Sequence, residues 1–380
     1  LINFTNSVLD TMDGYICNSR PRRFGKSYAA NMLAAYYSKG CDSEKMFSGL
    51  EIAKASDFKR HLNKYDVIHI DIQWFLANCG NADEVVPFIT KSVLDELREI
   101  YPGTLPAEGV RLPDALSRVK ERTGQKFIII IDEWDVLIRD GEMSETIQDE
   151  YINFLRGMFK GTEPTKYIQL AYLTGILPIK KEKAQSAVNN LDEFTMLQAF
   201  GLAPYIGFTE NEVKDLCKEY NRDFEKVKKW YDGYLLDGYQ VYNPKAVVSL
   251  MTKGKFRSYW SETGSYEVVV PLICMNFDGL KTAIIEMLSG AEVEVNTASF
   301  KNDPAKIQNR DDVITYLIHL GYLGYNEENG TAFVPNEEIR QELSTAVRNS
   351  HWNEMITFQQ ESRKLLMATL TKDEKNGEKQ

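Results

Sequence analysis

The stretch CNSRPRRFGKSYAANML, Cys17–Leu33, decides how the rest of the chain is read. Its polar part ends in Gly25-Lys26-Ser27 and runs into a helical pattern, the layout of a phosphate-binding loop of the form G-x-x-x-x-G-K-[ST]. The opening glycine of that form is replaced by Arg20, and Arg22 and Arg23 follow it. Three readings stand at this point: a working nucleotide site, a damaged one, or a basic helix start.

A phosphate loop works because consecutive backbone N–H groups curl around phosphate oxygens at a helix N-terminus. Arg22, Arg23, Phe24, Gly25, Lys26 and Ser27 can each supply one, whereas Pro21 cannot. The lysine reaches the outer phosphates and the serine hydroxyl takes Mg²⁺. Tyr28 follows in the helical segment Ser27–Ser38 that begins there. Arg20 is tolerable at the first position if its φ stays negative, and the proline after it favours that by pushing it into extended conformations. A plain basic helix start is electrostatically awkward, because each cation near the positive end of a helix costs about 0.3–1 kcal/mol. The crowding of Arg20, Arg22, Arg23 and Lys26 makes sense if polyphosphate neutralises them.

Four short apolar runs set the frame: Tyr15-Ile16-Cys17, Val67–Ile72, Phe127–Ile131 and Tyr167–Leu173. Helical patterns lie between them, among them Val85–Ile100 and Glu145–Phe159. Near-continuous apolar strands alternating with helices predict a parallel sheet covered on both faces. Ligands bind beyond the carboxyl ends of such strands, so Ser19, Asp71, Asp132 and Thr174 are expected on one edge. In FIIIIDEWD, Asp132 ends a buried strand where a carboxylate can hold a Mg²⁺-bound water. Glu133 follows in position to orient and deprotonate an attacking water, although Asp132 could instead cap the next helix. Val67–Ile72 is inserted between the loop strand and the acidic strand, as in NTPases with an additional strand and a catalytic glutamate. Thr174 can contact the γ-phosphate or the attacking water, or merely satisfy local backbone.

The second half reads differently. Thr209 and Glu212 form a helix-start box, Trp230–Tyr234 (WYDGY) reads as a turn between aromatics, and Glu267–Arg348 is mostly helical. A hairpin is expected at Leu323–Val334 around Asn329-Gly330. The tail KDEKNGEKQ is highly charged, and there is no internal repeat. The expected organisation is 1–205 as the nucleotide domain, 206–265 as a small helical lid, and 266–380 as a mostly helical C-terminal region.

Composition narrows the classes. The 380-residue chain is 43% hydrophobic, with 18 Phe, 20 Tyr and 5 Trp, and so is globular. A net charge of −10 opposes generic nucleic-acid binding, which rests on neutralising phosphates. The five cysteines and four histidines form no cluster of metal-ligand spacing, which fits reduced thiols. No apolar run approaches the ~18–20 residues that span a bilayer. The chain begins at Leu1, which leaves a leader open; the expectation is a cytoplasmic protein with no membrane partner.

With these residues in place, the sequence resembles the bacterial AAA-ATPase-like family of P-loop proteins. The carriers are RPRRFGKS (Arg20–Ser27), IIIIDEWD (Ile128–Asp135) and LTGI (Leu173–Ile176), then NNLDEFT (Asn189–Thr195), GFTENEV (Gly207–Val213), WYDGY and VYNP (Val241–Pro244). The likeness covers about residues 1–265, and Arg20 matches the family's habit. It implies an α/β P-loop NTPase, AAA-like and of the additional-strand, catalytic-glutamate type, followed by a mostly helical lid and C-terminal region. By resemblance, Lys26 and Ser27 are the Walker A phosphate and Mg²⁺ contacts, Asp132 the Walker B magnesium residue, Glu133 the catalytic base and Thr174 a sensor. The nucleotide-binding set is then Arg22, Arg23, Phe24, Gly25, Lys26, Ser27 and Tyr28, with Mg²⁺ and ATP as cofactor and substrate.

Two departures stand out. Relatives commonly read Asp-Lys-Thr before the loop, whereas this chain has Asn3-Phe4-Thr5, which bears on base contacts. Many carry a PD-(D/E)xK nuclease-like domain, but Glu212-Val213-Lys214 lies on a helical pattern and Asp373-Glu374-Lys375 in the tail, so no nuclease is assigned here. WYDGY and YNP are expected to pack the lid, with adenine stacking on Trp230 or Tyr231 as the alternative. The leading expectation is a Mg²⁺-dependent ATPase that hydrolyses the β–γ bond by positioning and charge stabilisation, driving a lid movement that signals to a partner or attached domain. Arg22 or Arg23 could add charge in cis, or a neighbour could supply an arginine in trans. The rival is a nucleotide-gated switch or scaffold that hardly hydrolyses; a nuclease- or defence-associated role follows from the family alone.

Overall fold

The computed structural model describes residues 1–9, 11, 14–139, 143–179, 190–260, 266–275 and 277–349. The charged tail with Asp373-Glu374-Lys375 lies outside these residues, as does Asn189 of the NNLDEFT segment. The chain divides into two compact units. The first is Leu1–Ile206 with Lys301–Lys306; the second is Gly207–Phe300 with the described residues from Ile307 onward. The segments expected as lid and C-terminal region both fall largely in the second unit.

The first unit is built on strands β1 (Tyr15–Ser19), β2 (Asp66–Asp71), β3 (Phe127–Asp132), β4 (Ile168–Gly175) and β5 (Asp192–Phe194). They form one parallel sheet in the order β2-β3-β4-β1-β5. In space the strand between β1 and β3 is therefore β4, and β2 lies at the edge beyond β3, although β2 comes between β1 and β3 in the sequence.

Alternation explains the uninterrupted apolar runs. Ile16, Ile128, Ile130, Leu170 and Tyr172 pack with Ala30, Leu33, Tyr36 and Tyr37 of the helix Lys26–Tyr37 on one face. Cys17, Ile129, Ile131, Ala171 and Leu173 face the other way. There they meet the helices Val85–Ile100, Leu112–Thr123 and Glu145–Phe159. A strand buried on both faces has no polar side. The helix Val85–Ile100 presents Val85, Ile89, Val93, Leu94 and Leu97 inward, the spacing of one helical stripe.

Register then fixes the carboxyl edge. Asp71 pairs with Asp132, Asp132 with Thr174, and Thr174 with Asn18, so these side chains stand in one row across four strands. Ser19 sits one residue further on, opposite Gly175. No helix among the described residues is long and apolar enough to cross a membrane.

In the second unit, β6 (Phe208–Thr209), β7 (Tyr234–Leu236) and β8 (Tyr239–Tyr242) form an antiparallel sheet in the order β6-β8-β7. The capping box is realised at the helix Glu210–Glu219: Glu212 Oε2 accepts from Thr209 N at 2.7 Å. The hairpin is β10 (Gly324–Asn326) with β11 (Thr331–Phe333), and β9 (Val293–Glu294) adds a third strand to it. WYDGY is more than a turn. Trp230 and Tyr231 end the helix Phe224–Tyr231, Asp232 caps it, and Tyr234 opens β7. Trp230 packs against Tyr231 and Phe256, as the core-forming reading expects. Gly233 has φ 109°, and a Cβ there would lie 2.2 Å from the Pro335 carbonyl oxygen. Gly233→Ala therefore combines left-handed strain with overpacking and should cost about 2–6 kcal/mol. Urea unfolding checks this; an unchanged midpoint would contradict the packing.

Candidate functional site

The loop after β1 turns through two left-handed residues, Arg23 at φ 69° and Gly25 at φ 88°. A Cβ on Gly25 would meet nothing within 4 Å, so glycine is required there by backbone conformation rather than by space. Phe24, buried, anchors the loop between them. The helix Lys26–Tyr37 begins with no side-chain cap, and its first internal bond runs from Ala29 N to Gly25 O at 3.0 Å. The amide groups of Lys26, Ser27 and Tyr28 therefore leave the helix end unsatisfied, as an anion site needs. Ser27 and Tyr28 are exposed.

Lys26 folds back across the loop and donates from Nζ to the Pro21 carbonyl at 2.9 Å. It is only 4% exposed. Burial pulls its pKa below the ordinary lysine value, while Glu133, Asp135 and Asp132 pull it up. The loop lysine and the acids after β3 thus share one electrostatic neighbourhood.

Arg20 does something the sequence does not disclose. Its guanidinium is fully buried, and Nη1 donates to the carbonyls of Ser19 (3.0 Å), Phe194 (3.3 Å) and Thr195 (3.0 Å). Burial draws its pKa down to about 10, which leaves it cationic at neutral pH. Arg20 is absent from the left-handed residues, as the proline after it requires. One of the four crowded cations is therefore held at Nη1 by backbone carbonyls, without phosphate, while its buried Nε and Nη2 have no hydrogen-bond partner.

Asp132 is 5% exposed, and its Oδ1 accepts from Glu133 N at 3.0 Å. It does not cap the following helix, so that alternative falls away. Glu133 stands on left-handed backbone, φ 52°, and its carboxylate pairs with Arg139 at 2.5 Å. Thr174 is buried with no hydrogen-bond partner for Oγ1, so its hydroxyl does not satisfy local backbone. Its carbonyl accepts from Trp134 N at 3.0 Å.

Asn18, missed in the sequence, is buried beside Thr174 in the row; Nδ2 donates to Tyr172 Oη at 3.3 Å and Oδ1 has no partner. Ile16, Tyr172 and Ile130 face the helix Lys26–Tyr37. Asn18, Thr174 and Asp132, two residues further along, share that face at the end where the helix starts. Orphaned polar atoms and a desolvated lysine beside an open helix terminus fit a phosphate ligand with a divalent cation. Arg22 is exposed and Arg23 half-buried on the loop itself.

Residues 3–184 match the AAA-ATPase-like family, described as predicted AAA-ATPase. The matched stretch carries the loop, the acidic strand end and Thr174. Over 259 residues the chain is 26% identical to "Uncharacterized protein in vnfD 5'region" of Azotobacter chroococcum mcd 1, across 67% of this chain and 48% of that protein. The chain spans about half the length of the curated relative it matches. Among solved structures it is similar to the ORC2 protein of Aeropyrum pernix in its ADPNP–ADP complexes, at 13% identity and TM-score 0.40 over 93% of this chain and 91% of that one. Cdc6p of Pyrobaculum aerophilum gives 10% identity and TM-score 0.25 over 92% of each.

Gly175 shows how tightly the loops after β3 and β4 meet. A Cβ there would lie 2.6 Å from Asp135 Oδ1 and 2.7 Å from the Trp134 ring. Gly175→Ala should lower stability by about 1–3 kcal/mol. Thermal unfolding measures it, and an unchanged midpoint would contradict the contact.

Proposed function

We propose that the protein binds ATP with Mg²⁺ on the loop Arg20–Ser27 and hydrolyses the β–γ bond. The observation that carries this is Lys26, buried and bent over its own loop at an uncapped helix start, in the electrostatic reach of the acids that end β3. The backbone amides from Arg22 to Ser27 would cradle the phosphates, and Lys26 would exchange the Pro21 carbonyl for phosphate oxygens. Exposed Arg22 and left-handed Arg23 add positive charge to the same loop. Mg²⁺, held by Ser27 and Asp132, would supply neutralisation of the developing phosphate charge. Glu133 would take the proton of the attacking water, and the unpaired hydroxyl of Thr174 would orient that water or the outer phosphate.

The rival, a nucleotide-gated switch with little hydrolysis, is favoured by one observation: the Glu133 carboxylate is already engaged by Arg139. Phosphate release separates the two. Wild type should turn over Mg·ATP, and Glu133→Gln should lose about 10²–10⁴-fold in kcat while still binding nucleotide. Lys26→Ala should lose binding as well. Equal rates in wild type and Glu133→Gln would remove the base assignment, and binding without phosphate release in wild type would favour the switch.

A further inference from the structure

The carboxylate of Glu133 is held by Arg139. Arg139 ends the short helix Val136–Arg139 and its side chain is 10% exposed. Nη2 donates to Glu133 Oε2 at 2.5 Å, and Nε donates to Asp135 Oδ2 at 2.8 Å. Asp135 is fully buried, and the same Oδ2 accepts from Ile176 N at 3.1 Å and Leu177 N at 2.8 Å. These two residues directly follow Thr174-Gly175. The bond from Trp134 N to Thr174 O, and the lack of room for any side chain at Gly175, complete the join. The loop after β3 and the turn after β4 are therefore one packed body, and Arg139 ties the Glu133 carboxylate to it.

We infer that Arg139 is a positioning residue for hydrolysis, fixing the Glu133 carboxylate through one oxygen and leaving the other for water. Glu133 lies between the end of β3 and the next helix on left-handed backbone, so neither element sets the direction of its side chain. A carboxylate has two oxygens; Oε2 is taken by Arg139, and Oε1 takes no hydrogen bond among the described residues. A base held by a third group that is itself anchored is the arrangement by which catalytic pairs keep their aim. Asp135 is that anchor, since its buried carboxylate is fixed by two backbone amides of the turn after Thr174. The bidentate use of one guanidinium on two carboxylates is specific to arginine, because a lysine ammonium is a single point charge on a flexible stem. The same geometry read as a brake would require Arg139 to release Glu133 before turnover, and the test separates the two.

The inference rests on Glu133 being the base of the proposed ATPase. Single-turnover and steady-state phosphate release are measured for wild type, Arg139→Ala, Arg139→Gln, Arg139→Lys, Glu133→Gln and Arg139→Ala combined with Glu133→Gln. Thermal unfolding with Mg·ATP runs beside them as a control for folding. Arg139→Ala should lose about tenfold to a hundredfold in kcat, the scale of a misplaced group, with KM within about threefold. Arg139→Lys should recover part of the loss. In the Glu133→Gln background, Arg139→Ala should cause no further fall.

If burial of Asp135 makes Arg139→Ala fold poorly, Arg139→Gln and Arg139→Lys carry the comparison. An active wild type with unaffected or faster Arg139 variants overturns this inference alone, as does an equal loss in the Glu133→Gln background. A wild type that binds Mg·ATP but releases no phosphate overturns the hydrolysis reading, and this inference with it.

Discussion

A strand buried on both faces can carry polar groups only at its ends, and the rest of this structure depends on that constraint. β3 is buried at every residue from Phe127 to Asp132, so its first ionisable group stands at its carboxyl end. Parallel register then places Asp71, Asp132, Thr174 and Asn18 side by side on one edge. The helix Lys26–Tyr37 packs on the face that row shares, so its open N-terminus and the acids meet as a consequence of core packing.

The edge is held together by buried charges that are individually costly. An uncompensated ion in the interior is expensive, and the buried charges here are each met at least in part. Arg20 is met by three carbonyls, two of them at β5 and the residue after it. Asp135 is met by two amides and Arg139. Lys26 has the Pro21 carbonyl and the attraction of nearby carboxylates, and burial is the largest effect on its pKa, as it is for Arg20, whose Nε and Nη2 lack partners. Lys26 sits where a phosphate ligand would lie, and functional sites commonly give up stability in this way.

Much of this is legible in the sequence because it is local. Four strands announce themselves as apolar runs, and the helices Val85–Ile100 and Glu145–Phe159 match their patterns end to end. β5 does not, since Asp192-Glu193-Phe194 is short, acidic and, among the described residues, paired with β1 alone. The place of β4 between β1 and β3 is a property of the crossovers, which no local pattern encodes. Gly233 is recognisable as a turn glycine, but the Pro335 carbonyl that forbids a side chain there comes from far along the chain.

Within the site, Lys26, Ser27, Asp132, Glu133 and Thr174 are visible as motif residues. The contacts that set their geometry are less so. Arg139 falls four residues after Asp135, a helical pairing distance, yet its grip on Glu133 spans six residues and a left-handed turn that no helical spacing signals. Asn18 looks like an ordinary strand end until the register puts its free amide oxygen beside Thr174. The three carbonyls that hold Arg20 include two that the undetected β5 segment supplies.

The central claim is that the loop Arg20–Ser27 is a working nucleotide site despite lacking its first glycine. It is tested most directly by thermal unfolding of the wild-type chain and Lys26→Ala, each with and without Mg·ATP. At a hundred times Kd, ligand should stabilise the wild type by about 2.7 kcal/mol. The same addition should leave Lys26→Ala unmoved. No stabilisation of the wild type at millimolar Mg·ATP, or an equal shift in Lys26→Ala, would contradict the claim.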